Sequence, residues 1–295
     1  MLKRYFSSPP PPVPSPLPEP APPPPPSRRD MLLALFDARG HGLEIGAGFN
    51  PLLPKAQGYD VKTLDHASAD DLRLKYRDAQ VDGQRVEEVD YVCTDGSLVN
   101  AVGATGCFDF IAASHVIEHT PDPLRFLREC EALLAPGGVL VLAVPDKRYS
   151  FDTLRPACTA GAMLQAFLEK RARHTPGQLF DEVAYNSVRG GALAWHPGAD
   201  GELAFAASLQ AAASLFEAHA GDGNYRDIHG WQFTPSGFRL ALRDLHEIGY
   251  VGLKEDRFAP NGSEFFVTLT RTGSPMIEPR MELAQRAIAE AGASR

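Results

Sequence analysis

Nine residues, Leu43-Glu44-Ile45-Gly46-Ala47-Gly48-Phe49-Asn50-Pro51, constrain this chain more than any other stretch. An apolar strand runs into a turn holding two glycines, and a proline follows at once. Glycine there permits backbone angles that a side chain forbids, and it lets a ligand come close to the main chain. A strand that ends in such a turn and opens into a helix presents unpaired N–H groups to a cofactor. G-x-G turns also occur in unrelated proteins, so the weight of this one depends on what stands at the ends of the strands that follow.

Those strands can be read in order. Val61 to Asp65 reads as a second strand ending in aspartate, and Asp70 to Arg77 as a polar helical connector. Asp90 to Gly96 gives a third strand, again with an aspartate, Asp95, near its end. Phe108 to Ser114 is a fourth, apolar in its middle as a strand buried on both faces must be. The next helix is well marked: Asp122 caps it, Pro123 suits its first turn, and Leu124, Leu127, Cys130 and Leu134 recur at helical spacing before Pro136-Gly137-Gly138 stops it. Val139 to Pro145 is a fifth strand. Strands alternating with helices predict a parallel sheet covered on both faces.

From Ser150 to about Trp231 that rhythm stops. Met163, Leu164, Phe167 and Leu168 mark one helix and Ala206, Leu209, Ala213 and Phe216 another, with Gly190-Gly191 and His196-Pro197-Gly198 between them. An insertion after the fifth strand is a natural lid or substrate-selecting cap. The pattern then returns: Thr234-Pro235 caps a helix with Phe238, Ala241, Leu242, Leu245 and Ile248 on one stripe, and Pro260-Asn261-Gly262 joins Val251–Phe258 to Glu264–Thr270 as a hairpin. Met276 to Ala291 reads as a terminal helix. The expected organisation is a disordered proline-rich tail over 1–28, a folded domain over 29–273 that begins with a short helix at Met31 to Phe36, a helical insertion at 151–232, and a C-terminal helix or tail over 274–295. A polyproline segment cannot pack a core; its sharper reading is a docking ligand for a polyproline-binding domain.

Charge and cysteines narrow the function classes. The balance of 29 basic against 37 acidic residues argues against a nucleic-acid binder, which would want a basic stripe. Cys93, Cys107, Cys130 and Cys158 show no C-x-x-C pair or finger spacing, and read as thiols in a reducing compartment. No apolar run approaches the length needed to span a bilayer, and the basic start Met1 to Phe6 breaks into serine and proline before a signal h-region forms. The expected location is the cytoplasm.

Two cofactor readings compete for the Gly46/Gly48 turn. A dinucleotide site wants a third glycine and an acidic residue about 20 positions on. Asp65 supplies the acid, but Phe49-Asn50-Pro51 occupies the place of the third glycine. The whole ordered set resembles class I S-adenosylmethionine-dependent methyltransferases of the type 11 group. That set is Glu44-x-Gly46-x-Gly48, Asp65, Asp95-Gly96, Ser114-His115-Val116-Ile117-Glu118-His119-x-Pro121-Asp122-Pro123, the Leu134-x-Pro136-Gly137-Gly138 turn and the closing hairpin. It covers Gly42 to Pro145 well and Thr234 to Thr270 more loosely. No single motif is specific; the set, each member at the end of its own strand, is.

The resemblance implies an α/β fold with a doubly wound, mostly parallel seven-stranded Rossmann-like sheet, closed by the antiparallel hairpin. It implies S-adenosylmethionine as cofactor. Gly46 and Gly48 would lie against its methionine and ribose, with Glu44 beneath the loop and Asn50 beside it. Asp65 would accept both ribose hydroxyls, Asp95 the adenine amino group, and Gly96 or Ser97 would add backbone contacts. Ser114 and His115 would sit near the sulfonium.

Methyl transfer to a hydroxyl gains from a general base, and His115, His119 and His229 are the candidates. Asp146-Lys147-Arg148-Tyr149 would put Lys147, Arg148 and Tyr149 at the pocket mouth, and Trp231 stands in a His-x-Trp run before the last sheet-covering helix. These two runs resemble methyltransferases of bacterial surface-glycan assembly, which implies a small-molecule or sugar acceptor in surface-glycan or secondary metabolism. Two rivals remain. His115-Val116-Ile117-Glu118-His119 also matches the H-x-x-E-H pattern of inverted zincins, which would make the chain a zinc-dependent hydrolase. Pro121 and Pro123 leave too short a helix for that geometry, and no metal is expected. A scaffold presenting its proline-rich tail is the non-enzyme alternative, and a dehydrogenase binding a nicotinamide cofactor is the other enzyme that a cofactor-binding measurement would exclude.

Overall fold

The computed structural model describes residues 26–77, 83–273 and 278–292, so all but the last three residues of the expected tail lie outside it. Nine helices and nine strands are described, together with short 3-10 turns. The strands of the main sheet are β1 (Gly42–Ile45), β2 (Val61–Asp65), β3 (Tyr91–Val92), β4 (Phe108–Ser114), β5 (Leu134–Pro145), β8 (Lys254–Asn261) and β9 (Glu264–Thr270). They lie in the order β3-β2-β1-β4-β5-β9-β8. All neighbours are parallel except β9, which runs antiparallel to both β5 and β8. The chain leaves β1 toward β2 and β3, then returns to place β4 on the other side of β1. The carboxyl ends of β1 and β4 therefore flank a topological switch point, where open α/β sheets bind ligands.

β4 illustrates why the sheet is double-faced. Phe110 and Ala112 join one buried cluster with Leu32, Leu53, Val141 and Phe266, whereas Ile111 and Ala113 join another with Leu43, Leu127, Leu142 and Trp231. Successive side chains point to opposite faces, so a strand buried on both must be apolar throughout. The first cluster is covered by α1 (Arg28–Leu33), the second by α4 (Pro123–Leu133), α5 (Ala160–Leu168) and α8 (Pro235–Glu247). The caps of α4 and α8 form as the sequence predicts: Asp122 accepts from Arg125 N at 2.9 Å and Thr234 from Gly237 N at 3.2 Å.

Several details depart from the sequence reading. The first helix, α1, covers Arg28–Leu33 rather than Met31 to Phe36, and Pro260 and Asn261 pair with Phe265 and Glu264 as the end of β8 instead of forming the turn. β3 pairs over only Tyr91 and Val92, because Cys93 N makes the last bond to Asp65 O at 2.8 Å and the chain then turns into α3 (Leu98–Val102). Pro136-Gly137-Gly138 does not separate helix from strand: Leu134 already pairs with Phe108, and the turn is looped out before Val139 pairs with Phe110. The terminal helix, α9, starts at Arg280 rather than Met276, which lies outside the described residues.

The insertion is not wholly helical. Besides α5 and α7 (Leu209–His219) it holds α6 (Pro176–Ala184) and a two-stranded antiparallel sheet of β6 (Ser187–Arg189) and β7 (Leu203–Phe205). Strands of three residues are too short to show alternation. α2 (Ala69–Arg77) lies outside the insertion, in the expected connector. The insertion is bolted to the turn that follows β4. Trp231 N donates to Glu118 O at 3.2 Å, and Trp231 Nε1 to Thr120 O at 2.7 Å. Between them, His119 O accepts from His174 Nε2 at 3.0 Å and Tyr225 Oη at 3.2 Å. Three consecutive carbonyls thus depend on donors from the insertion and its exit. Among the described residues no helix is long and apolar enough to cross a membrane.

Candidate active site

A cavity of about 590 Å³ opens beside the carboxyl ends of β1, β2 and β4. Gly46 forms part of its wall. Its φ is 69°, and a Cβ there would fall 2.7 Å from Val116 Cγ2; at Gly48, with φ 52°, a Cβ would fall 3.0 Å from Tyr76 Oη. Only glycine fits either position; Gly46 leaves bare main chain at the cavity, whereas Gly48, expected against the cofactor, lies outside its lining. Asp65 also lines the cavity, buried at the end of β2, with Oδ1 held by His66 N at 2.7 Å and His66 Nδ1 at 2.6 Å. Among the described residues no hydrogen bond takes up Oδ2. A nucleoside fits the chemistry of this end: exposed backbone beside a fixed carboxylate acceptor.

Glu44 does not reach the cavity. Its carboxylate accepts from Leu52 N at 2.6 Å and Leu53 N at 2.9 Å, so it ties the far end of the glycine turn to the strand. Burial pushes its carboxyl up to about 7 against the pull of these two amides. Asn50 lies outside the cavity lining and accepts from Arg85 Nη2 at 3.2 Å. Asp95 is turned to its own loop, accepting from Ser97 N and Asn100 Nδ2 at 2.9 Å each, and these bonds lower its carboxyl. Gly96 of the same loop does line the cavity, with Cys93, Thr94, Leu98 and Phe126.

The turn after β4 carries the histidines. Ser114 Oγ accepts from Arg28 Nη2 at 2.8 Å and lies outside the cavity lining. His115 lines the cavity in a left-handed conformation, φ 55°, with Nε2 2.9 Å from Glu264 Oε2. Glu264, at the start of β9, also takes Arg28 at 2.7 Å; burial would raise its carboxyl, but His115 and Arg28 hold it down at about 2. His119 lines the cavity too, its Nδ1 2.9 Å from Asp227 Oδ1. Burial disfavours its charged form, yet Asp227 and then Glu118 outweigh this and raise its pKa. Asp227 is held far below the usual carboxylate range by His119 and by Lys75, whose Nζ lies 2.6 Å away.

His229 is buried just behind His119, the ring centroids 4.5 Å apart and the planes near perpendicular. Its Nδ1 lies 2.6 Å from Asp152 Oδ2, and Asp152 also accepts from Arg155 Nη1 at 2.8 Å. The helix that an inverted zincin would need is absent: Ile117–His119 is a single 3-10 turn, and His115 is drawn away to Glu264. The structure instead brings Glu118, His119 and His229 together.

The expected pocket mouth at Asp146 to Tyr149 is also otherwise employed. Lys147 is buried and donates to Thr153 O at 2.8 Å, burial lowering its pKa. Arg148 pairs with Asp146 and lies over the Tyr149 ring, and Trp231 is a core residue joined to Thr120. None of the four lines the cavity. Residues the sequence reading missed do: Tyr76, Lys75, Arg171, Tyr225 and Asp227. Asp227 stands two places before His229, just outside the His-x-Trp run; Arg171 carried no signal at all.

A family profile described as "Methyltransferase domain" matches residues 25–195. A "Ubiquinone biosynthesis O-methyltransferase" from Caulobacter sp. (strain K31) is 35% identical over 130 residues, which covers 40% of this chain and 50% of that protein. A protein of the same name from Parvibaculum lavamentivorans is 41% identical over 59 residues, 20% of this chain and 22% of that one. The chain thus spans half or less of the length of these curated relatives. Among solved structures, the CcbJ methyltransferase from Streptomyces caelestis aligns over 82% of this chain and 92% of its own, at 12% identity and a TM-score of 0.43.

Proposed function

The chain belongs to the methyltransferase-domain family, and from that premise we propose that it transfers a methyl group from S-adenosylmethionine to a hydroxyl oxygen of a small molecule or sugar. The observation that carries this reading is one cavity bordered both by Gly46 and Asp65 and by His115 and His119. Bound S-adenosylmethionine supplies a methyl group on a sulfonium, whose sulfur departs neutral. The chain's own work is to bind, orient and exclude water. Gly46 offers main-chain contacts, the Asp65 carboxylate accepts the ribose hydroxyls, and Gly96, Leu98 and Phe126 form a surface for adenine. The hydroxyl proton of the acceptor passes to the imidazole cluster, where His119 faces the cavity and His229 is oriented by Asp152.

The names borne by the relatives support oxygen as the methylated atom. The sugar alternative rests on the resemblance of the Asp146–Tyr149 and His229–Trp231 runs to surface-glycan methyltransferases. Lys147, Arg148 and Trp231 would then shape the loop rather than touch the acceptor, and acceptor choice would fall to the insertion at 151–232. Calorimetry with S-adenosylhomocysteine, followed by transfer of a labelled methyl group to a panel of phenols, catechols, sugars and lipids, tests the reading. Binding with transfer to one of these hydroxyl classes is the expected result. Absence of binding, or transfer only to protein or nucleic acid, overturns it.

A further inference from the structure

Glu118, His119 and His229 each offer one ligand atom, and the three atoms lie within 4.8 Å of one another. We propose that this cluster binds one divalent transition-metal ion of the zinc type beside the cavity, against the metal-free site expected from sequence. Two imidazoles with one carboxylate form a donor set suited to zinc and its first-row neighbours, and leave positions open for an added oxygen ligand. All-oxygen cations such as calcium are poorly served by it.

Three further observations point the same way. One nitrogen of each ring already faces an aspartate: His119 Nδ1 lies 2.9 Å from Asp227 Oδ1, close enough for an ion pair though not aligned as a hydrogen bond, and His229 Nδ1 is hydrogen-bonded to Asp152 at 2.6 Å. Metal-binding histidines are oriented in this manner by carboxylates behind them, which leave the other nitrogen for the ion. Glu118 is 0 % exposed, and neither of its carboxylate oxygens has a hydrogen-bond partner. A neighbouring imidazole nitrogen, His115 Nδ1, stands 3.6 Å from Oε1, beyond hydrogen-bonding range. A buried carboxylate without partners is costly, and a bound cation removes that cost. The donors also come from the turn after β4 and from the exit of the insertion, and the Trp231–Glu118 and Trp231–Thr120 bonds hold these two segments together. The rival explanation is a plain ionic cluster, in which protonated His119 serves both Asp227 and Glu118.

Binding itself is independent of the methyltransferase reading; its catalytic consequence rests on it. An ion at this place would acidify an acceptor hydroxyl, whose proton would then leave to water, since metal-bound His119 and His229 keep no free nitrogen to take it as they do in the metal-free reading. The test uses untagged full-length protein, stripped with a chelator, titrated with Zn²⁺ by calorimetry and with Co²⁺ by visible absorption. One ion per chain with a micromolar or tighter Kd is expected, together with a protein-induced Co²⁺ spectrum. His119→Ala, His229→Ala and Glu118→Gln should each weaken Zn²⁺ binding at least tenfold, and His115→Ala should leave it within twofold. S-adenosylhomocysteine binding by each variant verifies the fold; should the variants fail it, the wild-type stoichiometry and Co²⁺ spectrum decide. No stoichiometric ion, a Co²⁺ spectrum like that of the aqua ion, or an equal loss in His115→Ala overturns the proposal. S-adenosylhomocysteine binding without metal overturns only this inference, and metal binding without S-adenosylhomocysteine overturns only the function.

Discussion

The two ends of the cavity are built by different means. At the Gly46–Asp65 end each group sits at the end of its own strand, and its conformation is set within a few residues: Gly46 by its φ of 69°, Asp65 by His66. At the imidazole end nearly every group is set by a partner far along the chain; Asp152 and His229 are 77 positions apart. The first end is a property of the sheet, and the second exists only while the insertion stays docked. The two can therefore be disabled separately, by different changes and at different pH.

The sharpest break comes at the seam. Trp231 is 2 % exposed and donates to Thr120 O. Trp231→Ala should cost about 3–5 kcal/mol of stability, as large-to-small changes of a buried tryptophan do. Denaturant unfolding measures this, and amide exchange should find protection lost first in residues 151–232. Uniform loss across β1 and β4 would show that the insertion has no separate docking equilibrium.

The pH response should divide the two ends next. The Glu44 carboxyl is raised from 4.5 to about 7 in the folded chain, so its stabilisation is complete below pH 4.5 and is lost as pH rises toward 7. His174, which donates to His119 O, is lowered by burial from 6.5 to about 4; its stabilisation is present above pH 6.5 and is lost as pH falls toward 4. Each shift is worth about 3 kcal/mol, and the two oppose one another across the same window. Unfolding of Glu44→Gln should therefore gain stability with rising pH between 4.5 and 6.5 relative to the wild type, and His174→Gln should lose it. Parallel pH curves for the two variants would remove the distinction.

The smallest effect should be confined to one end. Asp65→Ala removes a carboxylate acceptor, worth about 1.5–3 kcal/mol for hydrogen bonds to a charged group, so S-adenosylhomocysteine should bind roughly 10- to 100-fold more weakly. Thermal stability should change little. An unchanged Kd would take the ribose role away from Asp65.

What the sequence made legible follows the same division. β4, the capped helices α4 and α8, the hairpin and the Gly46 turn are encoded by neighbours, and could be read. Asp65, His115 and His119 were legible because each closes a strand or follows one. The shortness of β3 was not, since the chain leaves the ladder for a reason that lies in the Asp95–Ser97–Asn100 turn. Nor was the pairing of His229 with Asp152, or of His119 with Asp227, because no local pattern reports which distant carboxylate will stand behind an imidazole. Lys147 and Arg148 misled for a related reason. Their charges suggested a pocket, but Lys147 serves the Thr153 carbonyl and Arg148 pairs with Asp146.

The three carbonyls of Glu118, His119 and Thr120 also limit how this protein can be taken apart. A chimera that replaced residues 151–232 to change the acceptor would orphan all three unless the graft brought its own donors to the places now held by His174, Tyr225 and Trp231. Each orphaned carbonyl would cost about 1–3 kcal/mol, together comparable with the whole margin of a domain. Modular exchange here must therefore carry a short donor code along with any new pocket wall, and a donor scaffold is best chosen first for those three positions.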